Sequence, residues 1–207
     1  MNKDKVFKLT VTAVMAALSY VAFTFLQIKI PLPGGNATSF HLGNAVCVLA
    51  ALLLGGPYGG LAGALGMTIG DILDPIYIIY APRTFILKFC IGLITGFTAH
   101  KIGRITFSRE RKHVVKWTII ASVAGMLFNV IFDPAFGFLY NILVIGKTFA
   151  EAWVLPNVLT TTVNAAVSVT VAVLLYLPIR KALIKAGLFI TIGKDKEGNN
   201  DKGKEND

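Results

Sequence analysis

Long apolar runs separated by short polar or charged segments organise this chain of 207 residues. A membrane-spanning helix needs about 20 predominantly apolar residues, and six such helices with their connections would use most of the chain. Only 15% of the residues are charged, whereas soluble domains carry about 25%. The pattern predicts an all-α integral membrane protein with about six transmembrane helices, in a single domain over residues 1–190. The six runs are 6–28, 41–54, 58–73, 82–100, 117–132 and 152–183.

The basic residues give this predicted bundle an orientation. Most of the 20 lysines and arginines lie in three blocks, at 3–8, 101–116 and 180–204. Cytoplasmic loops of membrane proteins carry such an excess of positive charge, so both termini and segment 101–116 are predicted to be cytoplasmic. Residues 191–207 would then form a charged, disordered cytoplasmic tail. Nucleic-acid binding is rejected, because it requires a basic face on a polar domain.

Proline, glycine and aspartate mark the predicted ends of several runs. Residues 29–40 contain two prolines and two glycines, which predicts a loop. Asp-Pro pairs at 74–75 and 133–134 are expected to end helices, because proline disfavours helix at the preceding residue. Segment 135–151 is predicted to be an external loop with some helix. The decapeptides 66–75 and 125–134 match at several positions, which leaves either an internal parallel repeat or a chance similarity.

The motifs of common catalytic sites are not found in this sequence. There is no GxxxxGK[ST], HExxH, CxxC or GxSxG, so the chain is not expected to hydrolyse ATP with a P-loop or to work as a familiar hydrolase. The histidines at 41, 100 and 113 lie on separate segments. We therefore predict no catalytic residues, no metal site and no bound cofactor.

Asp71 and Lys88 are ionisable residues that fall inside the predicted spans and outside the three basic blocks. A charged group in the bilayer costs roughly 2.5–3.5 kcal/mol on insertion scales, so such residues usually pair or face a cavity. Asp71 and Lys88 are predicted at similar depths in neighbouring helices, which makes an intramembrane ion pair plausible. Either a structural pair or a group that faces a ligand remains open.

Uncharged polar residues form stripes on the last two helices. Residues three or four apart share a helix face, and both stripes could line one outward-facing cavity together with polar loops. The alternative is hydrogen bonding between helices, which contributes only about 0.6 kcal/mol on average. The stripes are Asn157, Thr161, Asn164 and Ser168 on the sixth helix, and Ser122, Asn129 and Asp133 on the fifth.

Small residues at four-residue spacing allow helices to approach closely in lipid. Glycine pairs at 59/63, 66/70 and 92/96 predict close internal packing of the third and fourth helices. Ala13 and Ala17 repeat the spacing in the first helix, where they suit either internal packing or docking to another membrane subunit.

Two long segments resemble the substrate-binding S component of energy-coupling factor (ECF) vitamin transporters, in the group with riboflavin or an uncharacterised substrate. They are FHLGNAVCVLAALLLGGPYGGLAGALGMTIGDIL at 40–73 and APRTFILKFCIGLITGFTAHKIG at 81–103. The six expected spans and Ala13-xxx-Ala17 agree with this resemblance, which covers about 1–190.

The resemblance implies a specific role in the bacterial plasma membrane. The chain would bind a vitamin or precursor, such as riboflavin, pyridoxine or hydroxymethylpyrimidine, outside the cell. A transmembrane T subunit, docked through Ala13 and Ala17, and two ATPase subunits would supply the energy from ATP. The implied substrate-binding residues are Asn36, His41, Lys88, Asn129, Asp133, Asn157 and Asn164, with 36–41 as a lid.

Two other classes of protein remain open at this point. One is a stand-alone secondary transporter driven by an ion gradient, with Asp71 and Lys88 as the coupling pair. The other is a membrane scaffold that binds no small molecule, in which the polar stripes hold helices together.

Overall fold

The computed structural model describes residues 3–32, 36–148 and 155–189. In these segments six α-helices pack around one core, with a two-stranded hairpin between the first and second. The predicted tail 191–207 and the predicted start of the last run at 152 lie outside the described residues. The elements are α1 (Lys3–Thr24), β1 (Gln27–Leu32), β2 (Asn36–His41), α2 (Gly43–Leu54), α3 (Gly56–Ile72), a 3₁₀ turn (Ile78–Tyr80), α4 (Ala81–Gly96), a π-helical turn (Phe97–Ile102), α5 (Arg111–Leu143) and α6 (Leu155–Lys185).

Within the described residues, four helical segments are long and apolar enough to cross a membrane. They are Lys5–Thr24, Ile78–Ile102, Arg111–Leu143 and Leu155–Lys185. The other two helices are shorter: α2 has 12 residues and α3 has 17, or about 18 Å and 26 Å at 1.5 Å per residue. The chain is therefore an all-α, multi-pass membrane protein, and the number of six spans remains a prediction.

The segment predicted to be a loop at 29–40 is largely a β-hairpin. Strands β1 and β2 pair antiparallel, with Gln27 opposite His41 and Lys29 opposite Ser39. The prediction was wrong because the prolines and glycines obscured the alternation of polar and apolar residues in QIKI, which is typical of a strand. The first helix accordingly ends at Thr24 rather than near residue 28.

Helix α5 continues through Pro134, which was expected to end it. The two Asp-Pro pairs differ in what the aspartate binds. Asp74 accepts a hydrogen bond from the N–H of Ile76, at 3.0 Å, and such local turns end helices. Asp133 is instead held by Arg83 of α4, so its carboxylate does not cap a turn. Membrane helices tolerate proline where neighbouring groups satisfy the freed backbone.

Glycines let α3 pack closely against three helices at once. A Cβ at Gly66 would collide with the carbonyl of Ala16 in α1, and one at Gly63 with Cys47 in α2. Towards α4, a Cβ on Gly92 would meet the backbone of Gly60. The internal packing predicted for α3 and α4 is confirmed.

The basic end of the bundle is fixed by side chains from α5 and α6. Arg180 donates to the carbonyl oxygens of Ile105, at 3.0 Å, and Ser108, at 2.7 Å. His113 Nε2 donates to the carbonyl oxygen of Gly103, at 2.7 Å. The basic segment after α4 and the end of α6 therefore lie at the same end of the molecule, as the charge pattern required.

Candidate functional site

A polar cavity of about 120 Å³ lies at the opposite end of the bundle. Strand β2, the end of α3, the first turns of α4 and α6, and the last turns of α5 form its wall. Among its lining residues are Thr38, His41, Asp71, Tyr77, Tyr80, Arg83, Thr84, Lys88, Asp133, Asn141, Asn157, Thr160, Thr161 and Asn164.

One carboxylate in this wall is shared by two cations of α4. The Arg83 guanidinium donates a hydrogen bond to Asp133 Oδ1, and Lys88 Nζ lies 3.7 Å from Asp133 Oδ2. Lys88 also donates to Asn129 Oδ1, at 3.2 Å. The predicted Asp71–Lys88 ion pair does not form: Asp71 instead accepts a hydrogen bond from Thr84. Helices α3 and α4 are neighbours, as expected. Asp133, however, lies one turn after Asn129 on α5, and its carboxylate is closer to the two cations than that of Asp71.

The hairpin is fastened to α6 by side chains on the polar stripe. Asn164 Oδ1 accepts a hydrogen bond from the backbone N–H of His41, at 3.1 Å, and its Nδ2 donates to the carbonyl of Ser39, at 2.9 Å. The hydroxyls of Thr38 and Thr160 lie 2.7 Å apart. Lys29 pairs with Asp74 and ties β1 to the connection after α3. These contacts place β2 over the cavity.

Replacing Asn164 with alanine is expected to loosen strand β2. The change removes two hydrogen bonds, each worth about 0.5–1.5 kcal/mol, and leaves two backbone groups of the strand without partners. Amide hydrogen exchange across residues 36–41 should therefore become roughly tenfold faster or more. Mass spectrometry of exchanged peptides measures this.

Thr162→Ala is the matched control, since Thr162 is an exposed residue of the same helix whose hydroxyl bonds only within that helix. Equal exchange in both variants would show that Asn164 does not hold the strand.

His41 is neutral in this environment. Its ring packs edge-on against Phe23, with the centroids 4.9 Å apart. Burial, followed by the positive charge of Lys88, lowers the pKa of His41 from 6.5 to about 3. At neutral pH the ring therefore has one donor and one acceptor nitrogen.

Several buried polar atoms in the wall have no hydrogen-bond partner among the described residues. They include Arg83 Nε, His41 Nδ1 and Asn141 Oδ1. Buried polar groups are nearly always hydrogen-bonded. A polar ligand in the cavity would supply hydrogen-bond partners for these atoms.

The structure brings together most of the residues singled out in the sequence. His41, Lys88, Asp133, Asn157 and Asn164 all line the cavity, as does Asp71. Asn129 lies behind Lys88 and contacts it. Asn36 begins β2, but its side chain lies outside the described part of the structure. Whether these residues bind substrate remains a prediction.

Sequence reasoning missed several other residues of the wall. Tyr77 and Tyr80 lie in the short connection before α4, where helical periodicity carries no information. Thr38 and Ser39 fell within the expected lid at 36–41 but were not singled out, although strand alternation could have indicated them. Thr160 directly precedes Thr161, which belongs to the polar stripe of α6. Arg83 was not missed, because an isolated cation in the apolar run 82–100 can be placed near the pocket from the sequence.

The two alanines of α1 lie away from the cavity. Ala13 and Ala17 are both exposed on the outer surface of the bundle, next to the exposed side chains of Val14 and Leu18. They do not contribute to internal packing. No group of three or more metal-ligating side chains occurs within the described residues.

Comparisons with known proteins agree with this architecture. A family model described as "ECF-type riboflavin transporter, S component" matches residues 3–181. A crystal structure of the S-component for biotin from an ECF-type ABC transporter superposes with a TM-score of 0.62 at 22% identity, and covers 94% of this chain and 99% of that chain. A Pyrococcus woesei protein described as "Uncharacterized protein in gap 3'region" is 28% identical over 112 residues, which are 53% of this chain and 74% of that protein.

Proposed function

The chain belongs to the family of S components of ECF-type riboflavin transporters, and we propose that it captures a vitamin or vitamin precursor for import. The observation that supports this function most directly is the polar cavity at one end of the bundle, with buried polar atoms that lack protein partners. Riboflavin, or a pyridoxine-like or hydroxymethylpyrimidine-like ring, is the class of substrate proposed.

We place the cavity on the outer side of a bacterial plasma membrane. The basic segment 101–116 and the end of α6 lie at the other end of the bundle, which suits the cytoplasmic side. In this placement both termini are cytoplasmic, and α2 and α3 complete six spans. Thinning of the bilayer or snorkelling of flanking residues accommodates helices as short as these.

The proposed partners are a transmembrane T subunit and two ATPase subunits, with no cofactor on this chain. The exposed Ala13 and Ala17 provide a flat strip on α1 where a second helix approaches closely. ATP would be consumed by the partner subunits, in keeping with the lack of a P-loop here.

The alternative of a stand-alone, gradient-driven transporter has lost its main support. It relied on Asp71 and Lys88 as a coupling pair, and Lys88 pairs instead with Asp133. A scaffold without a ligand does not explain the partnerless buried polar atoms of the cavity.

Protein purified in detergent is expected to carry a small molecule in roughly equal molar amount. Denaturing mass spectrometry of the released compounds would identify it. Asn157→Ala and Lys88→Met, which alter the cavity wall, should release much less of the compound. The exposed Thr162→Ala should release as much as the unchanged protein.

Saturable binding of added riboflavin, followed by its fluorescence, gives a second readout. A folded protein that is empty after growth in vitamin-rich medium, and that binds none of the proposed vitamins, would contradict the function.

A further inference from the structure

Lys88 and Arg83, the two cations of α4, have N–H donors that make no hydrogen bond within the described residues. Lys88 Nζ has three donors, of which one reaches Asn129 Oδ1 at 3.2 Å. Its distance of 3.7 Å to Asp133 Oδ2 is longer than a normal hydrogen bond. Arg83 has five donors; its Nη2 binds Asp133, while its Nε has no partner.

The acceptors of the wall do not balance these donors. Both oxygens of Asp133 already face the two cations. Asp71, the second carboxylate of the cavity, accepts a hydrogen bond from Thr84 and makes no ion pair with any described residue. Lys88 and Arg83 act on the charge of Asp71 from a distance, but among the described residues only Asp133 forms ion pairs with these two cations. Direct contacts from further acceptors would complete such a buried arrangement.

Arg83 is held in place before any ligand arrives. Its guanidinium lies 5.7 Å from the centre of the Tyr80 ring. The guanidinium also lies against Gly137 of α5, where an added Cβ would be 2.8 Å from Nη1. The part of α5 after Pro134, which contains Gly137, thus provides the surface against which the guanidinium packs. A pre-oriented donor loses little freedom on binding.

We infer that the ligand carries an anionic group made only of acceptors, a carboxylate or a phosphate, which binds to Lys88 and Arg83. The inference rests on the proposed function and narrows it: the ligand in the same cavity would be an anionic vitamin or precursor, such as riboflavin 5′-phosphate, in place of the uncharged riboflavin, pyridoxine or hydroxymethylpyrimidine. Charge-assisted hydrogen bonds from a lysine and an arginine are shorter and stronger than neutral ones. The neutral imidazole of His41 and the Tyr80 ring are left to contact the uncharged part of the ligand.

Two matched pairs of compounds test this inference. Riboflavin and riboflavin 5′-phosphate differ by a phosphate, whereas biotin and its primary amide differ by the charge of a carboxylate. Affinities are measured by isothermal titration calorimetry on the purified full chain. In a pair that binds, the anionic member is expected to bind roughly tenfold to hundredfold more tightly. The pair that shows this preference distinguishes phosphate from carboxylate.

Variants show whether the α4 cations cause the preference. Lys88→Met keeps most of the length of the side chain and removes its charge, so the affinity of the anionic compound should fall towards that of its neutral partner, with Arg83 left to supply the rest of the preference. If this variant does not fold, Gly137→Ala gives a second measurement, because it displaces Arg83 and leaves every cavity charge in place. Lys181→Met, which alters an exposed lysine at the other end of α6, is the control.

Equal or tighter binding of the neutral compound would overturn the inference, as would an uncharged molecule released from the purified protein. An anionic molecule released from it would support the inference even where neither pair binds. A folded protein with no ligand of any kind contradicts the proposed function itself, and the inference fails with it.

Discussion

Replacing Asp133 with alanine is expected to destabilise the ligand-free protein by about 3–5 kcal/mol. The carboxylate lies between Arg83 and Lys88, all three side chains are largely buried, and no other carboxylate of the described residues forms an ion pair with either cation. Its removal leaves two buried positive charges without a carboxylate in direct contact. Thermal unfolding in detergent, followed by the loss of the monodisperse peak in size-exclusion chromatography, measures the change.

A double variant separates this electrostatic cause from a general loss of packing. Adding Lys88→Met to Asp133→Ala removes one of the two cations that Asp133 would otherwise neutralise, so part of the lost stability should return. Glu110→Ala changes an exposed acidic residue just before the same helix, and should remain within about 0.5 kcal/mol of the parent protein. An Asp133→Ala protein as stable as the Glu110→Ala protein would show that the ion cluster contributes no stability.

Replacing Gly92 with leucine is expected to prevent α3 and α4 from packing at all. Even a Cβ at this position would collide with the backbone of Gly60, which unlike a side chain has no other rotamer to adopt. Overpacking of a core costs about 1–3 kcal/mol where side chains can adjust, and a larger loss is expected here. The measurement is the yield of folded monomer after extraction in mild detergent.

The control for Gly92→Leu adds the same kind of bulk at an open site. Ala166 lies on the exposed face of α6, where a leucine side chain would point into lipid. Ala166→Leu should therefore give a parental yield. Folded Gly92→Leu protein at the parental yield would mean that α3 and α4 are not held together through these glycines.

The helices of this fold could be predicted because each one has a local cause. Apolar runs, helix-breaking residues and blocks of basic charge lie next to each other in the chain, so their meaning does not depend on distant contacts. The close contact of α3 with α4 followed from glycine spacing alone. The hairpin and the passage of α5 through Pro134 could not be predicted in this way, because both depend on partners far along the chain.

The cavity likewise combines features that the local sequence could predict with features that depend on distant partners. The stripes on α5 and α6 predicted one polar face on each helix, and His41, Lys88, Asp133, Asn157 and Asn164 do meet around one space. Their individual partners were not predictable. Lys88 was matched with the wrong carboxylate, since depth in the membrane does not specify which neighbouring helix is nearer. Asn164 holds a strand that was not foreseen, so its role combines placement of β2 with a position at the wall.

The bonds that close the cavity join residues synthesised far apart in time. Thr38 and Thr160 are separated by 122 positions, and His41 and Asn164 by 123. When the hairpin leaves the ribosome, the helix that secures it has not yet been made. These long-range contacts can therefore form only after α6 has inserted into the membrane. Biogenesis therefore yields a helical bundle first and a binding-competent receptor last, and a nascent chain that stops before α6 would enter the membrane without a functional site.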